Sequence, residues 1–151
     1  MRHLFAAGLL AALLLCACTG KNTNTYDANP AQIAAELADG LSYDTELVEI
    51  PQEDIGLYLD IPDGTEGSFY KSNSTTESIA VFKCADSDIG AAVEKALLTY
   101  LDEQRATFEA YDPEEISRLG NACLERKGNI VILCIARDRN EVTQKLDELL
   151  P

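Results

Sequence analysis

Ile130-Val131-Ile132-Leu133-Cys134-Ile135-Ala136 is an unbroken run of seven apolar residues, four of them β-branched. Successive side chains of a strand point to opposite faces. A strand here is therefore apolar on both sides and belongs inside a sheet, not at its margin. Asn121–Arg126 precedes it, and Lys127-Gly128 between them predicts an antiparallel hairpin. Ser68–Lys71 and Ser78–Ala85, joined by the polar stretch Ser72–Thr76, predict a second hairpin. Between the two, Ile89, Val93, Ala96, Leu97, Tyr100, Leu101, Phe108 and Tyr111 recur at three- and four-residue steps. That spacing predicts one helix over Asp86–Tyr111, about 39 Å long, capped by Asp86, Ser87 and Asp88. Asp112-Pro113-Glu114-Glu115 closes it and caps a shorter helix, with both glutamates serving as first-turn acids. Asp138 with Glu141 is a capping box that opens a last helix carrying Val142, Leu146 and Leu149. Upstream, Asn29-Pro30 starts a short helix with Ile33, Ala34 and Leu37, ending near Gly40. A weak strand over Thr45–Ile50 follows, then a short helix from Pro51 and a turn over Asp60–Glu66. The expected fold is α+β: a mainly antiparallel sheet of four to five strands, with a β-β-α-β-β-α core and helices packed on one face.

The first residues carry a different signal. Arg2 is followed by Leu4–Ala17, fourteen apolar or small residues. A membrane-spanning helix needs about 20, whereas a shorter stretch fits the apolar region of a secretory signal. It ends in Leu15-Cys16-Ala17-Cys18, which resembles the lipobox of bacterial lipoproteins: an aliphatic residue, two small ones, then Cys. The resemblance implies cleavage between Ala17 and Cys18, with diacylglycerol in thioether linkage to Cys18. Two acyl chains such as palmitate anchor stably, since each buried CH₂ contributes about 0.8 kcal/mol. Three parts are expected: residues 1–17 a signal peptide, residues 18–29 a lipidated Cys and flexible tether, and residues 30–151 one α+β domain. The expected location is the extracytoplasmic face of the cell membrane.

Removing residues 1–17 takes Met1, Arg2 and His3 with it. The remaining 134 residues hold 11 bases against 26 acids, with no His, Met or Trp. Nucleophilic machinery built on His, and His-ligated zinc, copper or haem, are thereby excluded. The acidity excludes nucleic acid as a main partner. No glycine-rich phosphate loop, paired CxxC or nucleophile elbow is present. No catalytic residue, metal ligand or cofactor is assigned.

Three groups of residues remain as candidates. Cys84, Cys123 and Cys134 are odd in number and fall in predicted strands, where Cys behaves as a small hydrophobe. With Lys127-Gly128 as the loop, Cys123 faces Ile132 and lies diagonal to Cys134, roughly 7–8 Å away. Buried free thiols are expected ahead of a disulfide. Eleven acids and no base lie between Lys21 and Lys71, suited to a solvated face, a cation or a basic partner surface. Asp60, Asp63 and Glu66 faintly resemble a calcium loop but lack its alternate spacing. Arg105, Arg118, Arg126, Lys127, Arg137 and Arg139 are scarce positives, expected to meet the domain's own acidic half in preference to an anionic ligand. The helical spacing of Tyr100, Phe108 and Tyr111, with Tyr70, points to core.

Glu77-Ser78-Ile79-Ala80-Val81-Phe82-Lys83-Cys84-Ala85-Asp86, the long helix with Gln104, Phe108 and Tyr111, then Pro113, Leu119, Asn121-Ala122 and Lys127-Gly128-Asn129 together resemble an uncharacterised bacterial lipoprotein family, domain of unknown function 4358. The resemblance spans about 30–140 and implies a lipid-anchored single domain, commonly in Gram-positive anaerobes, with no assigned catalytic residue. The expected role is a protein-binding or assembly module of the cell envelope, tied to the membrane through Cys18. The alternative is a cation- or small-ligand-binding lipoprotein using the acidic half. A third reading is a carboxylate-dependent cell-wall hydrolase, which needs two acids about 5–10 Å apart in a cleft.

Overall fold

The computed structural model describes residues 24–151. Ala17 and Cys18, with the lipobox-like segment and the expected cleavage point, lie outside the described residues. The elements run α1 (Pro30–Gly40), β1 (Val48–Ile50), a 3₁₀ helix (Gln52–Leu57), β2 (Glu66–Lys71), β3 (Ser78–Lys83), α2 (Ser87–Phe108), α3 (Pro113–Gly120), β4 (Cys123–Lys127), β5 (Ile130–Ile135) and α4 (Arg139–Leu149). The five strands form one sheet in the order β1-β2-β3-β5-β4, and every neighbouring pair is antiparallel. The α+β fold and the antiparallel sheet stand as expected, and the apolar run 130–135 is an inner strand with all six residues buried.

Helices cover both faces of the sheet, not one. Ile79 and Val81 of β3 and Ile130, Ile132 and Cys134 of β5 pack with Ile33, Ala34 and Leu37 of α1 and Val142 and Leu146 of α4. The alternate residues Ala80, Phe82, Val131, Leu133 and Ile135 pack with Val93, Leu97 and Tyr100 of α2, Leu119 of α3 and Ile55 of the 3₁₀ helix. The reason lies in the same apolar run. A strand apolar on both sides loses about 1.5–3 kcal/mol for each large side chain left in water, so one covered face does not suffice.

Helix starts follow local side-chain chemistry. Asn29 accepts a hydrogen bond from the Ala31 N–H at 2.8 Å, and Pro30 occupies the first turn. Asp86, Asp112 and Asp138 cap α2, α3 and α4 in the same way. The long helix stops at Phe108, three residues short of the expected Tyr111. Asp112 leaves the helical conformation there (φ −139, ψ 87) because Pro113 disfavours it, and its carboxylate serves α3.

The β4–β5 loop is Gly128-Asn129, with Lys127 opposite Ile130. Gly128 has φ +58, and Gly at the first loop position suits a two-residue hairpin turn. Residues 24–29 are part of the fold and not the flexible tether expected there; residues 18–23 lie outside the described residues. The Tyr26 N–H donates to Asn129 Oδ1 at 2.7 Å, Asn129 Nδ2 donates to the Tyr26 carbonyl at 3.1 Å, and the Tyr26 hydroxyl donates to the Pro151 carbonyl at 2.7 Å. Lys83 pairs with Asp27. A side-chain amide that both gives and takes a backbone bond imitates a strand partner, so a polar stretch without periodicity is still held in place.

Candidate functional site

α2 crosses the sheet with one flank turned away from it. Ala92, Lys95, Ala96, Thr99, Tyr100 and Glu103 repeat at helical spacing and form one wall of a groove of about 700 Å³. The segment 56–63, leaving the 3₁₀ helix, forms the other. Tyr58 and Tyr100 line it, and both rest on the fully buried Phe69 ring, at 5.9 Å and 5.8 Å between centroids, edge-on for Tyr100. Leu57 is 78% exposed and Tyr58 42%, so apolar surface faces solvent at the rim. Asp60, Asp63 and Glu103 line the groove against a single base, Lys95. Burial pushes the Tyr100 phenol above its ordinary range, with the Ser78 hydrogen bond acting against it. Tyr100 is core as expected, whereas Tyr111 is exposed and packs only on Phe108 among the aromatics.

The opposite end of the strands from the β4–β5 loop carries a polar network that the sequence did not reveal. Glu77 is fully buried and its carboxylate accepts from the Asp44 N–H (2.7 Å), the Thr45 N–H (3.1 Å) and hydroxyl (3.0 Å), and the Thr75 hydroxyl (3.1 Å). Glu115 is also buried. It accepts from the Thr76 N–H and hydroxyl, each at 2.7 Å, and from Arg118 at 2.6 Å. Glu115 thus does more than decorate a helix start: it fastens α3 to the β2–β3 loop. Asp44 bridges Arg118 and Arg137. The Thr45 bonds to Glu77 also explain why β1 begins at Val48 and not at Thr45. Both carboxylates are occupied by donors, which suits a fastening. The sequence signal was faint: an acid two residues before the apolar run Ile79–Phe82 must find partners or stay out of the core.

The scarce bases are accounted for by internal partners. Arg118 and Arg137 meet Asp44 of the acidic half as expected, while Arg105, Arg126 and Lys127 meet Asp102, Glu94 and Asp147. Arg139 donates to the Ala122 carbonyl. Asp60, Asp63 and Glu66 do not converge. Among the described residues no three His, Cys, Asp or Glu side chains are grouped to hold a metal ion.

Cys84, Cys123 and Cys134 are free and buried. Burial, with Glu125 beside it, pushes the Cys123 thiol up to about 11, and burial pushes Cys134 up to about 12. Cys84 is raised too, by burial first. None is a thiolate near neutral pH, so none is an activated nucleophile. The expected facing of Cys123 on Ile132 is corrected: Cys123 is the direct partner of Cys134. The cause is the loop, which sits one residue later than Lys127-Gly128.

Fold and sites define a small acidic α+β domain with a groove lined by Tyr58 and Tyr100 and a fastened polar pole. It belongs to the family described as Domain of unknown function (DUF4358), whose model matches residues 50–136. Comparison with curated proteins and with solved structures finds no match. Among the described residues no helix is long and apolar enough to cross a membrane.

Proposed function

We propose that this chain is a lipid-anchored, extracytoplasmic binding module that holds another envelope protein in the groove between α2 and residues 56–63. The observation that carries the binding reading is the groove itself. Leu57 and Tyr58 stand exposed at its rim, and three acids against one base line it. Charge complementarity selects a protein surface presenting an apolar side chain flanked by Lys or Arg. The anchor reading rests on the lipobox-like Leu15–Cys18. Asn24 lies against Gly128, so six residues of chain would hold the hairpin end within about 20 Å of an anchor at Cys18. The polar pole would then face away from the membrane.

Two experiments test the two halves. Growth with an alkyne fatty acid should label the wild type and not Cys18→Ala; an unlabelled wild type overturns the anchor. A photo-crosslinking residue at position 57 should give a discrete protein adduct in cells, whereas one at Leu98, exposed on α2 outside the groove, should not. Equal adducts at both positions, or none at position 57, overturn the groove as the binding surface.

A further inference from the structure

Cys123 and Cys134 are Cα partners across the β4–β5 ladder, and both side chains lie in the cluster beneath α1 and α4. Counting back from the two-residue loop, Lys127–Ile130 is the first hydrogen-bonded pair, and Cys123–Cys134 falls on the same phase. Such pairs hold their Cα atoms about 5.5 Å apart, inside the span of about 4.4–6.8 Å that a disulfide bridges. Cys84 packs in the cluster on the other face, so the sheet stands between it and the pair. Of the three pairings that the three thiols of the described residues allow, the fold leaves one. β4 is an edge strand with a single neighbour, five residues long, and so gains from a covalent tie.

We propose that Cys123 and Cys134 are a convertible thiol pair whose oxidation clamps the edge strand β4 to β5. The oxidant is a disulfide, either small or carried by a thiol–disulfide exchange protein. One protein thiolate attacks a sulfur of that disulfide and releases a first thiol. The second protein thiolate then attacks the mixed disulfide and releases the other. Two protein thiols give up two electrons and two protons, and one external disulfide becomes two thiols. Both sulfurs are buried with high pKa values, so exchange proceeds during folding or through opening of the edge strand, and not on the closed protein.

The full chain, purified in detergent, is reduced, unfolded in urea and refolded in mixed reduced and oxidised glutathione. It is then alkylated and digested with trypsin without reduction. The expected product links peptide 119–126 to peptide 128–137, while peptide 84–95 carries the alkyl label. The oxidised chain should melt roughly 5–10 °C above the reduced one. Cys84→Ser should keep both results, and Cys123→Ser should lose both. Recovery of the two peptides alkylated, or linkage of Cys84 to either, overturns the pairing. Linkage without a rise in melting temperature overturns the clamp. The wild-type peptide map stands whether or not the variants fold.

Discussion

On one face of the sheet lie α1 and α4, which come from opposite ends of the described chain; on the other lie the 3₁₀ helix, α2 and α3. The first cover is assembled from distant segments and sealed by polar contacts of Tyr26, Asn129 and Lys127. The second is contiguous in sequence with the strands it covers and contains the groove. The family match, residues 50–136, takes in the second cover whole and leaves out both helices of the first. Yet β3 and β5 are apolar on both sides and require both covers. The matched segment is therefore not a physically complete domain.

The largest effect is expected from expression of residues 50–136 alone. It bares Ile79, Val81, Ile130, Ile132 and Cys134, a loss on the order of 10 kcal/mol, as large as the whole stability of a small domain. The expected result is a dye-binding, non-cooperative chain, and a sharp urea transition in circular dichroism would sink the idea. Next come Leu146→Ala in the first cover and Leu97→Ala in the second, both fully buried. Each should cost about 2–5 kcal/mol in a single shared transition; a two-step unfolding of Leu146→Ala would show the first cover to be a separate unit. Glu77→Ala strands the Asp44 and Thr45 N–H groups and should cost about 3 kcal/mol by the same measurement.

Alkaline pH distinguishes the faces more finely. Cys134, in the first cluster, has a folded pKa of about 12 against an ordinary 9.0. Its stabilising effect is complete below the unfolded pKa and is lost as pH rises from about 9 toward 12, by about 1 kcal/mol per unit. Cys134→Ala should lack that part of the slope in urea titrations at several pH values. The smallest change in stability belongs to Leu57→Ser at the groove rim, within about 0.5 kcal/mol of wild type, although partner adducts at neighbouring positions should vanish.

What was legible in the sequence was what neighbours in the chain decide. Asn29-Pro30, Asp86, Asp112-Pro113 and Asp138 act on N–H groups two or three residues away, so helix starts were readable. The inner strand was readable from composition alone. The register of β4 against β5 was not, because it turns on whether Lys127 or Gly128 takes the first loop position, and moving the loop by one residue moves Cys123 from opposite Ile132 to opposite Cys134. Glu115 was read only through its helix, since its partner Thr76 lies 39 residues away. The segment 24–29 offered no periodicity because a side-chain amide, not a pattern of apolar residues, holds it.

That hold has a mechanical consequence. A Cβ on Gly128 would stand 1.8 Å from the Asn24 carbonyl oxygen, so chain and hairpin tip touch with no room between them. Tension arriving from the N-terminal side would meet Asn129, Lys83 and Pro151 before it reached α1. The load would be shared among the β4–β5 loop, β3 and the C-terminus before it reached the first helix.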